Sequence, residues 1–175
     1  MAVTAAFRQQ AGTVKTIKSS GGDAAITLAS LANGSYRQSA KLDLGTPFAQ
    51  AYDVFVDCEH AATPTAGNTL DLWWSASTSA TAGTDNQGGT SGSDASYTGY
   101  NADAANSVKH LLFIGSMVLA ARATATVQKG YVGTFVPPTR YGSLVLLNGA
   151  GSAFHSSDAN CQIRLVPKEF TAEPS

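Results

Sequence analysis

Charge is scarce in this chain: Asp, Glu, Lys and Arg make up 13% of its 175 residues, against about a quarter in an ordinary soluble domain. The balance is nearly flat, with a formal net charge of -1. A duplex-binding protein carries a basic surplus, so nucleic acid is not an expected partner. Such a surface suits a protein covered by neighbours better than one that stays alone in solution. Cysteine is almost missing too. Cys58 and Cys161 make no disulfide framework, and two reduced, buried thiols are the expectation. Long apolar runs are absent. The longest, 111–121, contains Gly115 and Ser116 and falls short of the ~20 residues of a membrane span, so no membrane partner is expected. The first twenty residues hold no apolar run of signal length, which points to synthesis in a cytoplasm. No helical stripe longer than about two turns is visible.

Period-2 patterning dominates instead. Strands are expected at 13–19, 24–29, 36–44, 49–59, 69–75, 109–120, 125–136, 141–147 and 160–166, separated by turn signals such as Asn33-Gly34, Gly45-Thr46-Pro47, Pro137-Pro138 and Asn148-Gly149. In 49–59, Tyr52, Val54, Val56 and Cys58 share one face, while Asp53, Asp57 and Glu59 share the other with Phe55. In 69–75, Leu70, Leu72 and Trp74 point inward, and Asp71 and Trp73 outward. The segment 109–120 is apolar on both faces, which suits a central strand covered on both sides. The fold expected is all-β: an antiparallel β-sandwich, jelly-roll-like, with one long irregular loop over about 76–108. The domain limits follow: an extended N-terminal arm at 1–12, one sandwich domain at 13–168, and an extended tail at 169–175.

The loop has almost no large apolar side chains. Its charges are Asp85, Asp94 and Asp103, and Tyr97 and Tyr100 are its exceptions. It is expected to be exposed, facing solvent or a neighbouring copy, with the two tyrosines pinning its C-terminal end. The N-terminal stretch 1–18 carries Arg8, Lys15 and Lys18 without an acidic residue, and Val3 and Phe7 could dock in a neighbour. The candidate interface residues are therefore Val3, Phe7, Arg8, Phe55, Trp73, Tyr97 and Tyr100.

Candidate chemistry is weak. Cys58-Glu59-His60 lacks the four ligands of a zinc site. His155, Ser156, Ser157 and Asp158 contain triad residue types, but as neighbours in one turn and without a nucleophile elbow. Asp57 and Glu59, ~6.6 Å apart on a strand, match a glycosidase spacing, yet no aromatic cleft accompanies them. Gln87-Gly88-Gly89 follows no strand and opens no helix, so it is not a phosphate loop. No catalytic residue, metal or cofactor is expected. Trp73-Trp74 is the sharpest alternative, because an outward indole can stack on a sugar or anchor a protein interface.

The segment VGTFVPPTRYGSLVLLNGAGSAFHSSDANCQIRLVPKE, 132–169, resembles the C-terminal part of small structural proteins of tailed-phage virions. LDLWWSAS at 70–77 and HLLFIGSMVL at 110–119 fit the same pattern. The likeness is to capsid decoration, or cement, proteins. It implies a β-sandwich on the capsid exterior, made in the host bacterial cytoplasm, often trimeric, whose partner is the major capsid protein and which locks neighbouring capsomers together without catalysis. The alternatives are a carbohydrate-binding sandwich of a phage fibre or tail tip, and a neck or tail structural protein.

Overall fold

The computed structural model describes residues 6–10 and 12–173, with 6–10 and 169–173 described by backbone alone. The described strands are β1 (Ala6–Gln10), β2 (Lys15–Ile17), β3 (Tyr36–Gln38), β4 (Leu42–Asp43), β5 (Ala51–Cys58), β6 (Thr69–Ser77), β7 (Ala95–Ser96), β8 (Leu112–Val118), β9 (Gln128–Phe135), β10 (Tyr141–Asn148) and β11 (Gln162–Glu173). One four-residue helix, α1 (Ala104–Ser107), lies between β7 and β8. All ladders are antiparallel. The protein is thus an all-β sandwich of two sheets. One sheet runs β1-β11-β5-β9, with β2 also on β11. The other runs β7-β3-β10-β6-β8, with β4 also on β10.

The pairs nest: β2 with β11, β3 and β4 with β10, β5 with β9, and β6 with β8. The body is one long two-stranded ribbon rolled up on itself. Its tip is the connection from β6 to β8, and its open end is the β2–β11 pair. The core lies between the sheets. Alternate residues of β5 (Tyr52, Val54, Val56), β6 (Leu70, Leu72, Trp74), β10 (Leu144, Leu146) and β11 (Ile163, Leu165) fill it, joined by Phe154. Each such buried side chain contributes about 1.5–3 kcal/mol relative to exposure. Gly142 leaves the space that the Trp74 ring occupies.

Several expected elements differ. The segment 24–29 buries Ala24, Ile26 and Leu28 in strict alternation, yet beyond one bridge at Ala24 it is not a strand. Carboxylates take the N–H groups of its second half: Asp94 accepts from Thr27 N, and Asp158 from Leu28 N and Ala29 N. The segment 36–44 breaks into β3 and β4 because the Ser39 hydroxyl accepts the Leu144 N–H (2.9 Å) that a ladder carbonyl would otherwise take. The segment 109–120 contains no central strand. β8 is instead the last strand of its sheet, and Leu112, Phe113 and Val118 stay exposed on it. The stretches at 6–10 and 169–173, expected as separate extended ends, pair with each other from Ala6↔Glu173 to Gln10↔Glu169. Of β11, only Gln162–Lys168 pairs with β5, so this terminal ribbon runs on past the β5 ladder.

The 76–108 stretch is more structured than expected. β6 continues into it as far as Ser77, and β7 pairs with β3. The stretch stays out of the main core but builds a second one on the outer face of its sheet. There Tyr97, Val108, Leu111 and Val145 are buried, with Tyr36, Trp73 and Ala104 packed around them. Polar side chains hold the rest: Ser75 Oγ donates to Gln87 O (2.9 Å), Gln38 Oε1 accepts from Ser91 N (2.9 Å), and Asp94 accepts from the Thr27 hydroxyl and Arg37 Nε.

Candidate functional site

The residue types that suggested chemistry are each engaged in holding the fold. Cys58 and Cys161 are buried free thiols. They occupy the next opposed positions after the Asp57↔Gln162 pair. Burial pushes the Cys58 thiol up to about 12 and the Cys161 thiol up to about 11, so neither is a nucleophile near neutral pH. His60 stacks on Phe154 with ring centroids 4.8 Å apart, and burial pulls its pKa below the ordinary histidine value. Glu59 accepts from Asn160 Nδ2 (2.9 Å). Asp158 is spent on Ser19 Oγ and on two backbone N–H groups. His155 Nδ1 accepts from Ser157 N (3.1 Å) within its own turn. Asp53 meets Lys168 Nζ at 2.8 Å and takes the Thr134 hydroxyl.

Asp57 and Glu59, expected on an exposed face, are buried. Gln162 Nε2 and Arg164 Nη2 each lie 2.8 Å from Asp57, laid over it from β11. Among the described residues no group of three or more His, Cys, Asp or Glu converges as a metal site.

What the body does offer is an apolar edge. β8 and β9 end their respective sheets and run side by side without a ladder between them. Glycines allow the approach. A side chain at Gly115 would collide with the Val132 carbonyl, and one at Gly133 with the Ile114 carbonyl. Ile114 and Met117 turn into the core, which leaves Phe113, Val118 and Tyr131 outside at 53%, 66% and 52% exposure, with Leu112 and Val136 also exposed. Phe113 stacks on Trp73 and Tyr131 on Phe55, each at 5.5 Å between centroids. The edge thus joins aromatic pairs from the outer faces of both sheets. At its far end a cleft of about 630 Å³ opens among Met117, Val118, Arg122, Lys129 and Tyr131. Exposed large apolar side chains gathered along one edge make it the candidate interaction surface of the described residues.

The expected interface residues divide. Phe55 and Trp73 belong to this edge, each half-covered: Tyr131 and the Arg164 guanidinium lie on Phe55, and Tyr36 and Phe113 lie on Trp73. Tyr97 is removed from the candidates, because it is 3% exposed and its hydroxyl donates to the Gly88 carbonyl at 2.6 Å. It is buried by its own chain. Tyr100 is exposed beside His110, on the tip and apart from the edge. Phe7 and Arg8 sit in β1, opposite Ala172 and Thr171, and Val3 lies outside the described residues. Sequence reasoning missed Leu112, Phe113, Val118, Tyr131 and Val136. For the first three the signal was the two-faced apolar run at 109–120, which reads the same whether its second face is buried or bare; Tyr131 and Val136, in and just after β9, carried no such signal.

No transmembrane-length apolar helix occurs among the described residues. No protein-family model matches this sequence, and neither a curated protein nor a solved structure matches it.

Proposed function

We propose that this chain is a non-enzymatic structural protein of a tailed-phage virion, a capsid decoration protein that binds the major capsid protein on the outer surface and stabilises capsomer junctions. The observation that carries the protein-binding part is the apolar β8–β9 edge. Water-exposed aromatics on a low-charge surface favour a partner that covers them, at about 25 cal/mol per Å² of apolar area removed from water. The nested strand order supports the setting. With β3 and β4 counted as one broken strand, eight strands nest as one ribbon across two sheets, which supports reading the sandwich as a jelly roll, an architecture of viral capsid and lectin domains. The virion assignment itself rests on the resemblance of residues 132–169.

The mechanism is mechanical. A subunit seated across a junction must be stripped off before the capsomers part, so its binding free energy adds to the cost of separating them. Self-association, as a trimer, belongs to the same reading.

Quantitative mass spectrometry of purified virions that carry this chain tests it. Hundreds of copies per particle, lost from particles bearing Phe113→Ser together with Tyr131→Ser, are expected. A handful of copies would assign the chain to the neck or tail. Its absence from virions would end the reading.

A further inference from the structure

Lys41 lies one residue before β4, and its ammonium has no carboxylate partner among the described residues. Nζ instead contacts four oxygens: Ser77 Oγ at 2.9 Å, and the carbonyls of Ser79 at 2.9 Å, Thr81 at 2.6 Å and Thr84 at 2.9 Å. An ammonium has three protons to give, so four acceptors exceed what directed hydrogen bonding requires. Oxygens gathered around one positive centre are the pattern of an ion site.

The surrounding fold builds this shell. β10 pairs with β4 on one side and β6 on the other, through Tyr141↔Asp43 and Tyr141↔Ser77, which sets Lys41 near Ser77. Lys41 N donates to Gly92 O, fixing the root of the side chain. The turn then wraps back. Gly83 and Asp85 both take positive φ (71° and 53°), and Gly83 N donates to Ser91 O at 2.7 Å. Asp85, next to the fourth ligand Thr84, supplies a negative charge and is held by Thr78 Oγ1 at 3.0 Å.

We propose that the 77–84 turn is a monovalent-cation site that this chain fills with its own Lys41 ammonium. Shortening Lys41 would turn it into a site for potassium or free ammonium, two ions of nearly equal size. Carbonyl oxygens replace the water shell of potassium in selectivity filters, and three of the four ligands here are carbonyls. The shell is too wide for the alternatives. Calcium takes its oxygens at 2.3–2.6 Å and magnesium at 2.0–2.1 Å, both with carboxylates as usual ligands. Thr81 and Thr84 are exposed, so an ion from solution can reach the emptied place.

The test uses the full chain in matched potassium, sodium and choline chloride. Amide exchange at residues 79–84 is expected to be indifferent to the salt in the wild-type protein. In Lys41→Ala it should accelerate about tenfold in choline, the equivalent of about 1.4 kcal/mol, and return toward the wild-type rate as potassium or ammonium is added, with a saturable midpoint. Lys41→Met, whose side chain fills the same space without charge, should be accelerated and stay so in every salt. Lys41→Ala responding alike to potassium and choline, or keeping wild-type exchange in choline, would overturn the proposal. A second reading needs no variant: the Lys41 ammonium protons of the wild-type protein should give a slowly exchanging nitrogen-correlated resonance. Exchange as fast as that of the exposed Lys129 would equally defeat it.

Discussion

Asp94 accepts from Thr27 N (3.0 Å), Thr27 Oγ1 (2.6 Å) and Arg37 Nε (2.8 Å), so one carboxylate ties the tip stretch to the non-strand segment 24–29 and to β3. Burial alone would lift its pKa, but the bonds from Thr27 and Arg37 outweigh that and hold it below the ordinary aspartate value. A folded pKa below the unfolded one of about 3.9 means the stabilisation is present above that value and is lost as pH falls through the folded value. Asp94→Asn should therefore lower stability by roughly 1.5–3 kcal/mol at pH 7. In denaturant titrations the gap from wild type should close in acid. Ala102 gives the opposite case. It holds φ at +60° directly after Asn101 at +52°. The left-handed conformation costs an L-residue about 1–2 kcal/mol, so Ala102→Gly should raise stability by about 0.5–1 kcal/mol after its entropic cost; an unchanged or lower denaturation midpoint would contradict this. Neither residue was legible in the sequence. Asp94 read only as a loop charge, since its partners lie 57 and 67 positions away, and nothing in the Tyr100-Asn101-Ala102-Asp103 string reveals backbone sign.

The inward faces of β5 and β6 were plain in the sequence, because alternation on a half-buried strand follows directly from the pleat; β10 and β11 were legible as strands without an assigned face, and β10 is buried from Gly142 through Leu146. Two elements misled for physical reasons. In 24–29 the alternation is real but carboxylates replaced the ladder, and side-chain period does not report which group accepts an N–H. In β8 the apolar second face suggested a central, covered strand, whereas β8 ends its sheet and Phe113 and Val118 are exposed. Close approach of β8 and β9 was also invisible, although Gly115, Gly130 and Gly133 stand where it needs them; Gly130 faces the Met117 side chain. Gly133→Ala should cost about 1–3 kcal/mol, since the obstacle is the Ile114 carbonyl and backbone cannot swing aside as a side chain would. Thermal unfolding would register it, and wild-type stability would show that the two edges do not press together.

For the whole molecule, the sparse charge and the bare edge act together. Val118 and Tyr131 lie outside the core and add little to the fold, so Val118→Asp with Tyr131→Ser should leave the melting temperature within a few degrees of wild type. The same pair should abolish concentration-dependent growth of the particle in light scattering. A wild-type protein that scatters as a monomer at every concentration would remove self-association from the proposed function.

The nesting of the ribbon also has a consequence in time. Its pairs close in order of increasing separation along the chain: β6 can find β8 early, whereas Ile17 in β2 must wait for Ile163 in β11. Closing long loops is entropically expensive and slow. A ribosome releases β2 long before β11, so the early strands leave the exit tunnel with no partner to zip onto. Val54 and Val56, opposite Leu165 and Ile163, stay without that neighbour until β11 has emerged. Synthesis rate, and whatever shields those strands in the interval, therefore bear on yield more than the stability of the finished sandwich does.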